Sequence, residues 1–237
     1  MTQPAKGSSG AMEALYPFLY AGTSDLSEVL AQVRASTMAK TEEIAELRRT
    51  VAAREAARLA NCAEDMAARF AAGGRLFAFG NGGSATDAQQ LATLFLNPGQ
   101  GKAPLPAFAL ANDTSVVTAL ANDIDVGVVF ARQLAAFGRR EDIVVGLSTS
   151  GNSDNLLRAF AEASRRGMLG VGLAGYEGGK MAEIDSLDYL FVAPSSSVHR
   201  IQEAQTTMYH VLWELTLGSL ERRQRAGRRR KARQEPK

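Results

Sequence analysis

Residues 76–87, which read LFAFGNGGSATD, decide the fold of this chain and point to a ligand. The first four residues are apolar and predict a short buried strand, and the glycines after them predict a sharp turn that opens a helix. Glycine lets the backbone approach a ligand closely, and the first amides of a helix have no intrahelical acceptor. Such a turn is an anion site, for which phosphate is the usual ligand.

A second loop of the same kind follows a later strand. Residues 143–147 are apolar, and residues 148–153 read STSGNS before another predicted helix. Hydroxyls and helix amides together can hold a phosphate monoester without any Lys or Arg. Because one helix cap needs only one hydroxyl, four hydroxyls favour a bound ligand. Two alternatives stay open, a purely structural first turn and a cluster of N-cap residues with nothing bound.

The first loop also fits a dinucleotide fingerprint, G-x-G-x-x-A, through Gly80, Gly82 and Ala85. That fingerprint requires an acidic residue about 20 positions later to hold a ribose. Residues 100–102 read QGK and supply no acid, and Asp113 comes much later. A dinucleotide site is therefore disfavoured.

Strands and helices alternate after an N-terminal helical quarter, which predicts an α/β fold with a doubly wound parallel sheet. Ligands bind at the carboxyl ends of the strands in such sheets, where both loops lie. We predict strands at residues 75–79, 106–110, 142–147, 168–173 and 188–192, and helices at 84–96, 114–121, 126–137, 153–166, 178–183 and 198–222.

The N-terminal quarter predicts two amphipathic helices. The first has Leu26, Val29, Leu30 and Val33 on one stripe, and the second covers residues 41–72. Long helices outside the sheet either form a subunit interface or pack within the same chain. We divide the chain into a flexible N-terminal segment, a single domain that includes these helices, and a C-terminal tail, at residues 1–22, 23–220 and 221–237.

The composition limits the class of protein. At 237 residues, with 46% apolar residues, the chain fits one domain with an ample core. The single cysteine, Cys62, excludes a disulfide framework and is expected to be a packing residue. Residues 1–12 lack a basic start followed by an apolar run, and no apolar run has membrane-spanning length, so we expect no signal peptide and a cytoplasmic protein without a membrane segment.

The charge is unevenly distributed along the chain. Residues 221–237 carry nine Lys or Arg and two Glu, which leaves 18 basic and 23 acidic residues in the body. We predict that this tail is disordered. It is either a solvated tail or a contact for nucleic acid, an acidic partner or a membrane surface. No aromatic residue lies among the arginines, so the tail cannot stack on bases.

Both histidines of the chain fall on one face of the last predicted helix. At about 100° per residue, His199, Gln202, Glu203, Thr206 and His210 lie within about 100° of one another. A solvated face would carry Lys and Glu pairs, whereas His, Gln and Glu suit proton transfer. The alternative is an interface or solvent face whose histidines are incidental.

These motifs together resemble the sugar isomerase (SIS) domain of the phosphoheptose isomerases. The resemblance covers residues 26–220 and rests on four motifs in the family's order: FGNGGSA with a following DA, LSTSGNS, GGKMA and RIQE. It implies a homotetramer of three-layer α/β/α subunits, with a five-stranded sheet and sites near subunit boundaries. It also implies that sedoheptulose 7-phosphate, or a longer ketose phosphate, is converted into the aldose through an enediol.

The resemblance also implies which residues contact the sugar phosphate. They are Asn81, Gly82, Gly83 and Ser84 of the first loop, Asn122 and Asp123 after the second strand, Ser148, Thr149, Ser150 and Ser153 of the second loop, and Gln202.

The chain departs from the family pattern at the zinc ion and the catalytic base. After the first loop the family has a His that binds zinc and, four residues later, a Glu that is both ligand and base; this chain has Gln90 and Leu94 there. Gln202 and His210 keep the other two zinc positions. A stable zinc site needs about four ligands that include His, Cys or carboxylate. We therefore expect no zinc of the family type and no other cofactor.

Isomerisation needs one group to remove the proton beside the carbonyl and one to shuttle protons on the oxygens. Because leucine cannot carry a proton, we expect His210 to keep its role and Glu203 or His199 to replace the base, with Asp123 as a further option. The alternative is a catalytically degenerate protein that senses a sugar phosphate or serves as an assembly factor, like the family member that associates with the bacterial replication initiator. A third option is a subunit that pairs with an active homologue.

Overall fold

The computed structural model describes residues 26–99 and 101–232. The segment 1–22, predicted to be flexible, lies outside the described residues. The chain forms two compact units, with the boundary after Glu43. In the first unit, residues 27–43 are helical and exposed. The second unit contains the sheet and all the motifs that the sequence singles out.

The elements follow one another in the order helix α1 (Leu26–Ala71), strand β1 (Leu76–Gly80), α2 (Gly83–Leu96), β2 (Ala107–Ala109), α3 (Thr114–Asp123), a 3-10 turn (Val126–Val128), α4 (Val129–Phe137), β3 (Ile143–Ser148), α5 (Asp154–Arg165), β4 (Leu169–Gly175), a second 3-10 turn (Gly179–Ala182), β5 (Tyr189–Ala193) and α6 (Val198–Ala232).

The five strands form one parallel sheet in the order β2-β1-β3-β4-β5. After β1 the chain adds β2 on one side, and then returns to add β3, β4 and β5 on the other side. The direction of growth therefore reverses between β1 and β3. In a doubly wound sheet this reversal opens a crevice at the carboxyl ends of the two strands.

Successive strand residues point to opposite faces and build two separate cores. Leu76 and Ala78 of β1 belong to the core that contains the second half of α1 with α2 and α6. Phe77 and Phe79 belong to the core formed with α4 and α5. Helices therefore cover both faces of the sheet, and the expected three-layer α/β/α fold with five parallel strands is confirmed.

The predicted strands are all present, and their ends agree with the structure to within two residues. The prediction of two N-terminal helices is wrong, because α1 runs without a break from Leu26 to Ala71. The intervening residues 34–40 read RASTMAK and contain neither Gly nor Pro, so nothing there interrupts a helix. The Thr37 and Thr41 hydroxyls donate to the carbonyls of Val33 and Thr37, four residues earlier, without breaking the helix.

The predicted disorder from residue 221 onward is also wrong as far as the structure describes the tail, because α6 continues to Ala232. Apart from Gly227, this stretch consists of Arg, Lys, Gln, Glu and Ala, which are all strong helix formers. Glu64 on α1 also holds the helix, since its carboxylate accepts from the Ser219 hydroxyl at 2.6 Å and from Arg222 at 2.6 Å, and pairs with Arg223.

Two smaller expectations concern packing and membranes. Cys62 is fully buried on α1, and burial raises the pKa of its thiol, so it is an unreactive packing residue as expected. Among the helices that the structure describes, none combines the length and apolar character needed to cross a bilayer.

Candidate functional site

Two loops lie side by side at the carboxyl edge of the sheet. Loop 1, residues 80–84, follows β1, and loop 2, residues 148–153, follows β3. Gly80 pairs with Leu147 across these neighbouring strands, so both loops leave the sheet at the same level. This is the point at which the strand order reverses. The predicted position of both loops at one rim of the sheet is confirmed.

Loop 1 has the backbone geometry of an anion site. Gly82 adopts φ +54°, a left-handed conformation that glycine reaches without steric cost, and α2 begins at the next residue. The amides of Ser84 and Ala85 bond the carbonyls of Asn81 and Gly82. The amides of Gly82 and Gly83 precede these bonds and lie at the positive end of the helix dipole, where an anion is stabilised.

Side chains connect loop 1 to the helix after loop 2. Asn81, which is exposed, pairs its side-chain amide with that of Asn155, which is buried on the first turn of α5. The two loops are therefore held at a fixed separation before any ligand binds.

The hydroxyls of loop 2 fold the loop, and most of them keep a hydrogen for a ligand, because only one of Ser148 and Ser153 donates to the other. Ser148 Oγ accepts from the Gly151 amide at 3.1 Å, and Ser150 Oγ accepts from the Asn152 amide at 3.2 Å. Ser153 Oγ lies 3.3 Å from Ser148 Oγ and does not cap α5. A hydroxyl that accepts one bond can still donate its own hydrogen, and phosphate oxygens are acceptors. The geometry disfavours the alternative of a simple N-cap cluster.

The segment after β4 packs against the backbone of loop 2 and forms hydrogen bonds with it. Gly151 adopts φ +67°, and a Cβ there would collide with the Gly178 carbonyl oxygen, so only glycine fits. The Gly151 carbonyl accepts from the Met181 amide at 3.0 Å, and the Thr149 carbonyl accepts from the Gly175 amide at 2.9 Å. These backbone hydrogen bonds therefore preorganise the loop. They do not involve the side chain of Thr149, which is half-buried.

An open cleft of about 740 Å³ lies beside loop 2. The loops after β3, β4 and β5 contribute its lining, which is Ser150, Asn152, Tyr176, Glu177, Gly179, Pro194, Ser195 and Ser196. Its hydroxyl, amide and carboxylate groups are suited to hydrogen-bonding a polyol. Of these residues, only Ser150 was predicted from the sequence to contact the ligand.

Gln202 comes from α6 and lies directly against loop 1. A Cβ on Gly83 would collide with Gln202 Nε2, so a glycine is required for this approach. Asp87, on the first turns of α2, is half-buried. Burial raises the pKa of the Asp87 carboxyl, and the hydrogen bonds from Tyr209 and Gln202 oppose that rise. The side chain of Gln202 therefore adds an amide beside loop 1.

The three predicted catalytic residues share a face of α6 but have different surroundings. His199 is exposed in the first turn. Glu203 pairs with Arg200, which lies three residues earlier. His210 is half-buried, with its ring 5.3 Å from that of Tyr209 and edge-on to Trp213 at 6.2 Å. Their catalytic roles stay predictions.

Asn122 and Asp123 lie at the end of α3, where both are exposed. Asn122 Nδ2 donates to Asp123 Oδ1 at 2.9 Å. The hydrogen bonds of this pair do not join it to loop 1 or loop 2, and α3 contains no fully buried residue. The predicted role of the pair in sugar binding stays a prediction.

The residues at the family's zinc positions do not fit a zinc ion. Gln90 is exposed on α2, and Leu94 is half-buried and packed against the core. With Gln202, that leaves two amides, one leucine and the single imidazole of His210, which is a poor donor set for zinc. Within residues 26–99 and 101–232, no cluster of three or more His, Cys, Asp or Glu could hold a metal ion.

Besides the polar residues that line the cleft, the sequence analysis missed Asp87 and Asn155. Asp87 is the only charged residue of α2, which is a signal that the sequence does offer. Asn155 has no such local signal, because its role depends on a partner 74 residues away.

Comparisons with known proteins agree with this geometry. The model of the SIS domain family matches residues 41–175. The phosphoheptose isomerase of Desulfovibrio desulfuricans is 47% identical over 173 residues, which cover 73% of this chain and 81% of that protein. The phosphoheptose isomerase of Burkholderia pseudomallei is 40% identical over 186 residues, covering 76% and 93%. The solved structure of the Neisseria gonorrhoeae phosphoheptose isomerase superposes with a TM-score of 0.72 at 34% identity, covering 78% of this chain and 98% of that one.

Proposed function

Because this chain belongs to the SIS domain family, and its relatives within that family are phosphoheptose isomerases, we propose that it is a phosphosugar isomerase acting on a heptulose phosphate. The observation that carries the proposal is the pair of preorganised loops at the rim where the strand order reverses. The substrate would be sedoheptulose 7-phosphate or a longer ketose phosphate, and the product its aldose.

The phosphate would bind between the two loops. The Gly82 and Gly83 amides would donate from loop 1, and the hydroxyls of Ser150 and of one of the hydrogen-bonded pair Ser148 and Ser153 would donate from loop 2. All of these groups are donors and none needs to move far, because each loop is already braced by bonds within the protein. Such prearranged donors bind an oxyanion without the reorganisation that water would need.

The sugar chain would then reach the face of α6 that carries Gln202, Glu203 and His210. In the reaction, a base removes a proton from C1 of the ketose, the enediol forms, and a proton is returned to C2. We assign this proton transfer to His210 and Glu203, with His199 as a further candidate. Glu203 already pairs with Arg200, which holds its carboxylate on this face of α6.

We further propose that the reaction proceeds without zinc of the family type. Gln90 and Leu94 supply neither the imidazole nor the carboxylate of the family pattern. The charge that develops on the enediolate must then be stabilised by hydrogen bonds and protonation from the α6 face. A slower isomerase than a zinc-containing relative is the expected consequence.

The assembly is proposed to be a homotetramer. Leu30, Val33 and Met38 in the first half of α1 are each more than half exposed, which is unfavourable for a lone chain in water. A small apolar groove of about 200 Å³ also lies between the second half of α1 and α6. Light scattering coupled to size exclusion tests the proposal, and a monomer would contradict it.

The experiment that tests the function is NMR of sedoheptulose 7-phosphate incubated with the protein in D2O. Deuterium at C2 of the sugar and accumulation of the aldose phosphate would demand a working base. His210→Ala and Glu203→Gln should each slow incorporation by about a hundredfold. Unchanged deuterium incorporation in both variants would contradict the catalytic roles assigned to these two residues.

One observation favours a second function, that of a binding protein without catalysis. It is the presence of Leu94 at the position where the family has its catalytic base. If the sugar phosphate binds and no deuterium enters it, the chain is a catalytically degenerate binding protein. The comparisons offer no support for a regulatory role. The exchange experiment therefore distinguishes the two functions with the same sample.

A further inference from the structure

Tyr176 has a backbone conformation that is unfavourable for a bulky side chain. Its φ is +51°, and in the described part of the chain it is the only residue other than glycine with a positive φ. This left-handed region brings the Cβ of an L-residue close to the backbone, so Gly, Asn and Asp are the residues that favour it. Residues held in such a conformation cluster at ligand sites.

The turn that carries Tyr176 is tied to loop 2 through its backbone. The Gly178 amide donates to the Gly175 carbonyl at 2.9 Å and closes the turn, and the Gly175 amide donates to the Thr149 carbonyl at 2.9 Å. The Tyr176 side chain takes no part in these bonds and is 40% exposed. A turn with only a structural role would be more stable with Gly or Asn at this position, so the tyrosine side chain requires another explanation.

Tyr176 lines the cleft beside loop 2, and three other lining residues keep hydrogen-bond donors. Ser150 Oγ and Ser195 Oγ each accept from the backbone amide two residues later, at 3.2 and 3.1 Å. Each hydroxyl can still donate its own hydrogen. Asn152 Oδ1 accepts from the Lys180 amide at 2.9 Å, so the donor end of this side chain, Nδ2, is left for a ligand.

Glu177 supplies the one charge among the residues that line the cleft. Its carboxylate is exposed, accepts hydrogen bonds and repels a phosphate. A sugar hydroxyl both donates and accepts, so a polyol matches a lining that combines three donors with a carboxylate. The exposed ring of Tyr176 adds an apolar surface, against which the C–H face of a sugar can pack.

We propose that this cleft is a binding site for an uncharged polyhydroxy compound, a sugar ring or an open-chain polyol, which packs on the ring of Tyr176 and donates to Glu177. The site adjoins the proposed phosphate site and shares Ser150 with it. Its ligand is either a separate sugar molecule or the uncharged part of a phosphosugar whose phosphate lies on the loops. The unfavourable backbone of Tyr176 is retained because it presents the ring to this ligand.

The test is saturation-transfer NMR of the full chain with sedoheptulose, which is uncharged and carries no phosphate. Saturation should pass to the sugar, and its titration gives a dissociation constant. Saturating inorganic phosphate should change this constant by less than about threefold, because the two sites share only the Ser150 hydroxyl.

Tyr176→Asn separates the proposed role from a structural one. Asparagine adopts the left-handed conformation more readily than tyrosine, so the melting temperature should not fall. The dissociation constant of sedoheptulose should nevertheless rise at least about tenfold, because the ring is lost. Tyr176→Phe keeps the ring and should stay within about threefold of the parent. Phe137→Ala is the control, since it removes an exposed aromatic ring at the end of α4, outside the cleft, and should leave the constant unchanged.

A third arm identifies the source of the sugar. The sugar-alcohol phosphate obtained by reducing sedoheptulose 7-phosphate keeps the hydroxyls and cannot isomerise. If it displaces sedoheptulose while inorganic phosphate does not, the cleft holds the uncharged part of a phosphosugar. If both bind at once, the cleft takes a separate sugar molecule. Either result supports the site.

Three outcomes would overturn the inference. They are the absence of saturation transfer to sedoheptulose, its complete loss in inorganic phosphate, and an unchanged dissociation constant in Tyr176→Asn. If Tyr176→Asn melts at a lower temperature than the parent, Tyr176→Gly takes its place and should show the same loss of binding. None of these measurements depends on turnover, so a chain that binds sedoheptulose here and exchanges no deuterium would contradict the proposed isomerase and not this site.

Discussion

Asn81 and Asn155 exchange two hydrogen bonds, each 2.9 Å long, between their side-chain amides. One residue belongs to loop 1 and the other to the first turn of α5, directly after loop 2. Asparagine is suited to this role because its amide carries both a donor and an acceptor, so that each partner satisfies the other. The pair joins the two halves of the proposed phosphate site, and the distance between the loops depends on it.

Removing this connection should weaken both the fold and the site. In Asn155→Ala, Asn81 loses its partner, and the free energy of unfolding should fall by about 1–2 kcal/mol. The dissociation constant of inorganic phosphate should rise about tenfold, because the loops are no longer held together before binding. Urea unfolding and calorimetry measure the two effects. Asn61→Ala, on the exposed face of α1, is the control and should change neither quantity. A phosphate affinity of Asn155→Ala equal to that of the parent would show that other contacts hold the loops.

Ser148 should contribute both to phosphate binding and to the stability of loop 2. It is buried, and its Oγ accepts from the Gly151 amide. Ser148→Ala removes a donor to the ligand and leaves that buried amide without its acceptor, so unfolding should become easier by about 1–3 kcal/mol and phosphate binding should weaken. Ser164→Ala, at the exposed end of α5, removes a hydroxyl of the same kind and should behave as the parent. Phosphate affinity that is equal in the two variants would count against loop 2 as the binding site.

The strands and both loops were predictable because their signals are local. Apolar runs bounded by glycine or hydroxyl residues define β1 and β3, and the parallel topology then brings their carboxyl ends to one rim. The contact of Gly83 with Gln202 could not be predicted in this way, because it depends on how α6 crosses α2. The ion pair of Glu203 with Arg200 was within reach of the sequence, since residues three apart on a helix are neighbours.

Restoring the family residues should create a zinc site. In the double variant Gln90→His and Leu94→Glu, two side chains that zinc binds well join Gln202 and His210, giving four ligands. This variant should retain about one zinc ion per chain after dialysis, as measured by elemental analysis, whereas the parent should retain far less. Each single variant is a matched control and should retain less zinc per chain than the double variant. A parent that keeps one zinc per chain would contradict the proposed zinc-free site.

Glu64 should make the end of α6 sensitive to acid. Hydrogen bonds from Ser219 and Arg222 hold the pKa of the Glu64 carboxyl below its ordinary value of 4.5. A carboxylate whose folded pKa is lowered stabilises the fold above its unfolded pKa, and this contribution is lost as pH falls through the folded pKa. Glu64→Gln should therefore lower the melting temperature at pH 7, and the difference from the parent should vanish in acid below that folded pKa. Glu46→Gln, which removes only a pair with Arg49 on the same helix, should show little effect at either pH. A difference that persists undiminished in acid would assign the effect to packing.

The basic end of α6 should bind duplex DNA through charge alone. Arg222 and Arg223 are already paired with Glu64, but residues 228–231 are four successive basic residues with no acidic residue before Glu235. Because there is no aromatic residue to stack on bases, binding should be independent of sequence and should weaken steeply with salt. Replacing residues 228–231 by Gln should lower affinity for a fluorescent duplex and reduce the slope of log K against log salt by up to about four. Replacing the three arginines among them by Lys keeps the charge and should preserve both quantities. If the Gln variant binds as the parent does, the tail is a solvated extension of the helix and nucleic acid is not its partner.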